Sequence, residues 1–473
     1  MRVALVHPAG SNWMPGLRDV TTAANRMAPL GLLSLAAVLE ARGHDVAVYD
    51  CLGPYAAAGP LENARRILAL EPELVGFSTT TSAFHDADDM AAAIKAARPD
   101  VRIAFGGVHV SAVGAPLLAR FGAIDVLCAG EGEETLSELA AGRPLAEIDG
   151  LSFRDGEEIR TNPPRANLDD LDALPLPAYE KLRGFPRGYH LPPFSYVDVP
   201  GATMVTSRGC TYQCSYCDRS VFKRGFRSNT ADYIYEHMRV LARRFGVRHV
   251  NVYDDLFTTN RRRITELCER LAREPLGLRF NCAVHAGHAD DDLLEMLKAA
   301  GCLMISVGME SGDPALLARH KASVTLEQVR ETVARIQAKG LRAKGLFMIG
   351  LPGETPETFR RTSDFIVSLG LDDMNLSKFT PFAGAPCFAG IRGDGEFDED
   401  WRRMNCLNTV FVPKGFASGA EVDALYNAHV KRFYSDREWR RKFRRRLWQH
   451  RHTLFRFFRH MPSFLAAKRE FER

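Results

Sequence analysis

The chain has no run of about 18 consecutive apolar residues, so no segment reads as a membrane-spanning helix. Its opening, Met1-Arg-Val-Ala-Leu-Val-His-Pro8, reads as a strand rather than a signal peptide. Cysteines are few, ten in 473 residues, and outside one cluster they do not pair up. Cys51, Cys128, Cys268, Cys282, Cys302, Cys387 and Cys406 stand singly in apolar stretches, which reads as buried free thiols and not a disulfide framework. These absences point to a cytoplasmic protein. Net charge is also small, +4, but unevenly placed: from Lys431 to Arg473, 15 Lys/Arg stand against 4 Asp/Glu, so the positive charge belongs to the tail. With 46% apolar and 25% charged residues the composition is that of a globular chain of roughly two to four domains.

What is present is a tight cysteine trio, Ser207-Arg208-Gly209-Cys210-Thr-Tyr-Gln-Cys214-Ser-Tyr216-Cys217. Three thiolates on one short loop can hold three irons of a [4Fe–4S] cube and leave the fourth iron open for chemistry. A structural zinc needs a fourth Cys or His nearby, and His237 and His249 lie 20 or more residues on. A disulfide cannot use three cysteines evenly. Zinc and chance clustering remain as the bland alternatives.

Strands alternate with helices twice. In residues 1–150, apolar runs at Val3–Val6, Val46–Tyr49, Leu74–Ser78, Val101–Phe105 and Ile124–Cys128 are separated by helical patterns, which predicts a doubly wound parallel sheet. Small polar sequences follow the strand ends: Ser78-Thr79-Thr80-Thr-Ser82, Gly106-Gly107-Val-His109 and Gly130-Glu131-Gly-Glu133. Ligands bind there in such sheets. Residues 151–195 read as a Pro-rich connector. Residues 196–385 resume the alternation, with strands expected at Met204–Thr206, His249–Tyr253, Arg279–Ala283, Met304–Val307, Ala343–Met348 and Asp373–Phe379. Six such units suit a partial barrel, whose chemistry belongs at the carboxyl ends of its strands. Residues 386–473 read as an α-helical extension ending in a basic, aromatic tail.

The cysteine loop, preceded by a short apolar strand and Arg208-Gly209, resembles the signature loop of radical S-adenosylmethionine (SAM) enzymes. That resemblance implies a [4Fe–4S] cluster on Cys210, Cys214 and Cys217 with SAM chelated to its open iron. One-electron reduction by an external flavodoxin or ferredoxin type donor then splits SAM into methionine and a 5′-deoxyadenosyl radical. It also places Tyr216 beside the cluster, Asp254 and Asp255 near the SAM amino group, Glu310 and Ser311 at the ribose, and Gly350 at the adenine. Read from the residues alone, Asp254 and Asp255 could equally cap a helix, and Glu354 reads as a helix N-terminal acid.

The order of the three small polar loops, together with the connector Leu171-Asp-Ala-Leu-Pro-Leu-Pro-Ala-Tyr179, is similar to the cobalamin-binding domain found ahead of many radical-SAM cores. By that resemblance Ser78, Thr79, Thr80, Gly106, Gly107 and His109 border the nucleotide tail and corrin, with Gly130 and Glu131 adjoining. A Rossmann-like domain without cobalamin is the alternative. One departure matters: the corrinoid motif Asp-x-His-x-x-Gly has Leu5 in place of its Asp, ahead of His7 and Gly10. Lacking that carboxylate, His7 is read as a loop residue and not a cobalt ligand.

The expectation is therefore a cobalamin-dependent radical-SAM enzyme: a doubly wound, Rossmann-like cobalamin domain, a partial (β/α)6 barrel and a helical extension. It would modify an unactivated carbon of a small or lipid-like substrate, by methyl transfer from methylcobalamin in the leading reading. The alternative is an oxidative or ring-forming enzyme resembling the anaerobic tetrapyrrole cyclases. A methylthiotransferase would want three cluster cysteines in the first domain, where only Cys51 and Cys128 stand; a cofactor carrier would show no SAM turnover. For the tail, packing against the barrel, a membrane surface and nucleic acid are weighed in that order.

Overall fold

The computed structural model describes residues 1–10, 26–57, 59–191 and 198–449. Its first sheet holds β1 (Arg2–His7), β2 (Asp45–Asp50), β3 (Leu74–Ser78), β4 (Arg102–Gly106), β5 (Val126–Cys128), β6 (Leu151–Asp155) and β7 (Glu158–Thr161). The order is β2-β1-β3-β4-β5-β6-β7, parallel through β5 and antiparallel thereafter. The sheet thus continues past residue 150 into the stretch expected to be connector. The physical reason is a hairpin: Asp155 pairs with Glu158, leaving Gly156-Glu157 as a two-residue turn with Gly156 at φ 65°.

The remaining connector threads between the two halves of the molecule. Tyr179 is 1% exposed, and its phenol donates to the Thr203 carbonyl at 2.8 Å and meets His237 Nε2 at 3.0 Å. Burying this ring, stacked on Phe185, anchors the connector in the barrel core. Asp172 accepts from the Asn229 side chain at 3.0 Å and from the Thr230 amide at 3.1 Å, fixing the connector to the N-cap of the helix Ala231–Arg243.

β8 (Gly201–Met204) opens the second sheet and is followed by a small ribbon, β9 (Ser207–Arg208) against β10 (Arg227–Ser228). The expected strand through Thr206 therefore stops at Met204, because the chain turns out to build the ribbon that carries the cysteine loop. Then come β11 (His249–Val252), β12 (Arg279–Val284), β13 (Cys302–Glu310), β14 (Arg342–Ile349) and β15 (Asp373–Lys378). The order β15-β14-β13-β12-β11-β8 is parallel throughout, the open six-stranded barrel expected. Thr325 and Thr355 start two of its helices with reciprocal capping boxes.

Past the barrel, β16 (Gly395–Phe397) pairs with β17 (Phe411–Pro413), and Trp401 between them reaches back to the first domain, 5.4 Å from Phe84 and 4.3 Å from His109. The helix Arg437–Gln449 lies on the barrel: Trp439 Nε1 donates to the Asp372 carbonyl at 3.2 Å, Lys442 to the Gly370 carbonyl at 2.6 Å, and Phe443 stacks on Trp439. For these residues the packing reading holds. His450, Leu454, Phe457 and Phe458 lie outside the described residues. Among the described residues no helix is long and apolar enough to cross a membrane.

Candidate active site

The ribbon β9–β10 pinches the cysteine loop shut at its base. Gly209, at φ 85°, makes this possible, since a Cβ there would stand 2.5 Å from the Gly225 carbonyl oxygen. Tyr212, between the first two cysteines, stacks on His285 with ring centroids 4.1 Å apart and touches His288 Nε2 at 3.0 Å. Ser215 bonds His320 twice, through its hydroxyl at 2.6 Å and its amide at 3.0 Å, and His320 Nε2 reaches the Pro352 carbonyl at 2.8 Å. None of these supports was anticipated, because no local pattern marks a histidine whose partner lies a hundred residues away.

Cys210, Cys214 and Cys217 are free and half-buried. Burial, then the Asp255 carboxylate and the neighbouring thiols, push Cys217 up to about 12, and burial raises Cys210 as well. Soft metal coordination relieves such crowding, since a bound thiol is deprotonated outright. Among the described residues no three His, Cys, Asp or Glu side chains converge tightly enough for a single ion. Three half-buried thiols on one short loop are the donor set that a four-iron cube takes, so the loop fits a cluster.

The strand ends around the loop divide into open and occupied groups. Glu310, at the bulged end of β13 with φ 61°, pairs with Lys321 at 3.1 Å. The Tyr216 phenol sits beside Glu310 and Cys214, and burial together with those two acids raises it. Asp255 lies at an exposed position near Cys210 and Cys217, its carboxyl raised by desolvation and then by Asp254. These groups can meet a ligand. Asp254 is different: it is 4% exposed, and its carboxylate accepts from the Thr206 amide at 2.5 Å, the Thr206 hydroxyl and the Ser207 hydroxyl at 2.7 Å, with Arg263 at 3.8 Å. It fastens β11 to the base of the loop, and the expectation that it borders SAM is corrected. Ser311 is likewise fully buried, bonded to Thr362 and the Asp313 amide. Gly350, at φ 88°, donates its amide to Glu354 at 2.5 Å. Glu354 is thus no helix N-terminal acid; it folds back on this turn, and burial pushes it up to about 8.

A cavity of about 270 Å³ opens between the carboxyl ends of the first sheet and the base of the cysteine loop. Ser78, Gly106, Gly107, Gly130 and Glu131 all line it. Its floor is Leu5, Gly76 and Ala104, in register across β1, β3 and β4, where the glycine and the alanine leave room. Gly107, at φ 96°, lies so close to Thr79 that a Cβ would come within 2.7 Å of that residue's nitrogen and oxygen. An apolar slot rimmed by glycine backbone fits a flat heterocycle such as a corrinoid's nucleotide tail.

Three residues expected here stand apart. Thr79 is buried and bonds the Gly106 carbonyl through both amide and hydroxyl, and Thr80 is exposed beside Ser82. His109 is 2% exposed beneath Trp401, its Nδ1 3.1 Å from the Thr81 hydroxyl, and burial lowers it to about 4. It supports the loop from behind. Glu131 lines the cavity, but its carboxylate is taken up by Arg208 at 2.7 Å, Arg227 at 2.9 Å and the Leu168 amide at 2.7 Å. His7 is no loop residue: it ends β1, bonded through Nδ1 to Asp50 at 2.8 Å.

Two family models match the chain, the B12 binding domain over residues 18–140 and the Radical SAM superfamily over residues 204–366. The chain belongs to the cobalamin-binding radical-SAM enzymes. This radical-SAM enzyme is 29% identical over 412 residues to the uncharacterized methyltransferase PH0819 of Pyrococcus horikoshii, covering 86% of this chain and 87% of that protein. It is 25% identical over 449 residues to the anaerobic magnesium-protoporphyrin IX monomethyl ester cyclase of Rubrivivax gelatinosus, covering 92% and 78%. Its fold is similar to that of the cobalamin-dependent SAM radical enzyme OxsB with aqua-cobalamin and SAM bound, at a TM-score of 0.70 and 17% identity over 96% of this chain and 72% of that one. The cofactors of this enzyme are SAM, cobalamin and an iron–sulfur cluster.

Proposed function

We propose that this enzyme removes a hydrogen atom from an unactivated carbon of a small-molecule substrate and completes the reaction oxidatively, as in ring formation. The observation that supports this is the reach of the cyclase likeness. At 92% of the chain it extends past the barrel into the C-terminal extension. Methyl transfer is the second reading, favoured by the likeness to the methyltransferase PH0819.

In this proposal Cys210, Cys214 and Cys217 hold the cluster, and Ser78, Gly106, Gly107 and Gly130 border the corrinoid. When bound, cluster and SAM supply a 5′-deoxyadenosyl radical, and the corrinoid supplies an electron acceptor or a methyl group. Glu310, its charge balanced by Lys321, offers carboxylate oxygens to a hydroxyl pair, and Asp255 offers one to an ammonium group. Leu351, Phe379, Ile391 and Phe411 back Tyr216 with an apolar cluster that keeps water from this side of the loop. Arg208 ties the two cofactor regions together. An external one-electron donor completes the cycle.

The test is the product balance of anaerobic, reconstituted enzyme turning over substrate from a host extract. Oxidation predicts 5′-deoxyadenosine without matching S-adenosylhomocysteine and a product that has lost hydrogen. Equal amounts of both nucleosides, with a product heavier by one CH2, decide for methyl transfer.

A further inference from the structure

The helix Arg437–Gln449 has two unlike faces. Trp439, Lys442, Phe443 and Arg446 form the inner one: three of them hold the carbonyls of Gly370 and Asp372, and Phe443 stacks on Trp439. At 3.6 residues per turn the opposite side is a single stripe about 140° wide, which carries Arg437, Arg440, Arg441, Arg444, Arg445 and Trp448. All six are exposed, Trp448 by 75%.

Like charges one turn apart repel, and a solvated helix ordinarily sets carboxylates among them. This stripe has none. Among the described residues the ion pairs of the helix are Lys442 with Glu438 at its flank, 3.2 Å, and Arg446 with Asp372 beneath it, 3.3 Å. Neither involves an arginine of the stripe. In the sequence no Asp or Glu occurs from Trp439 to Arg469. The missing counter-charge must come from outside the chain.

We propose that the stripe docks the protein on an anionic lipid surface. Guanidinium groups pair with lipid phosphates, and an indole settles at headgroup depth with its ring against hydrocarbon and its N–H in water. A nucleic-acid duplex offers the phosphates without the apolar layer, so Trp448 on the stripe favours the bilayer. The helix is held by Gly370 and Asp372, just ahead of β15, whereas the cysteine loop lies at the carboxyl ends of the barrel strands. A bilayer at the stripe therefore leaves the mouth of the barrel open.

The experiment is sedimentation of the full-length protein with vesicles of phosphatidylcholine alone or mixed with phosphatidylglycerol. Binding is expected to the mixed vesicles only, weakening as salt rises. Each outward arginine changed to glutamine should weaken it about fivefold, so Arg440→Gln, Arg441→Gln, Arg444→Gln and Arg445→Gln together cost more than about a hundredfold. Tryptophan emission should shift to the blue on binding, and not in Trp448→Phe. These side chains are exposed, so the variants are expected to fold, and the salt dependence of the unaltered protein is a readout of its own. Binding to neither vesicle, equal binding to both, or undiminished affinity in the four-fold variant overturns the proposal. So does tighter binding to a DNA duplex than to mixed vesicles at the same salt, which makes the stripe a nucleic-acid surface.

Discussion

Arg208 Nη1 stands 2.7 Å from Glu131 Oε1, joining a loop of the cobalamin side to a residue two positions before Cys210. Its second nitrogen meets Glu133 at 2.6 Å, and Arg227, register partner of Arg208 in the β9–β10 ribbon, also pairs with Glu131. Burial pushes the Glu133 carboxyl up, but Arg208, backed by the Ser34 hydroxyl, outweighs this and holds it below its ordinary value. Directional charge pairs fix the distance between the two cofactor regions more sharply than apolar contact does.

Removing one member of such a buried set leaves the others uncompensated. Arg208→Leu is expected to lower stability by about 3–5 kcal/mol. A double cycle with Glu131→Gln should recover part of that loss. Additive effects in urea titrations of the three variants would show that the pair is not coupled.

The cysteine trio makes the sharpest prediction. Cys214→Ala should reduce iron in the reconstituted protein to background and bring SAM cleavage below detection. Reductive cleavage persisting in that variant would remove Cys214 from the cluster.

Acid sensitivity follows from the histidines. Burial lowers His109, His237, His285 and His429 to about 4, and His249 to about 3, from an ordinary value of 6.5. The folded state keeps them neutral while the unfolded chain takes up protons. Their contribution is therefore complete above pH 6.5 and is lost as pH falls from 6.5 toward 4. For His237, wholly buried, the loss approaches about 1.4 kcal/mol per pH unit. The urea midpoint should drop between pH 7 and pH 5, and less steeply in His237→Gln. A midpoint flat across that range contradicts the account.

Gly107→Ala should damage the corrinoid loop selectively. The left-handed backbone and the contact with Thr79 predict a loss of more than about 1 kcal/mol. Cobalamin retained on gel filtration should fall, while iron content stays at the wild-type level. Full retention of cobalamin would show that the loop does not border it.

The two βα series, the order of their loops and the cysteine trio could all be read from residue order alone. Each is written in neighbouring residues: apolar runs with the period of strands and helices, glycines where backbone must turn, three thiols within eight positions. Leu74–Ser78 could be read to the residue. The turn at Asp155-Gly156 was legible too, but lay hidden in a stretch whose prolines suggested a linker. Which polar groups remain available depends on contacts between distant segments. Asp254 and Asp255 are adjacent in sequence, yet one is buried and bonded to Thr206 and the other is exposed beside the cysteine loop. Glu131 looks like a loop acid until Arg208 arrives from 77 residues away, and His7 seems unsupported until strand pairing sets Asp50 beside it. Hydrogen bonds and ion pairs are short-ranged in space but indifferent to separation along the chain, so the side chains available for chemistry are fixed only when the register of the sheets and the docking of the two domains bring distant residues together.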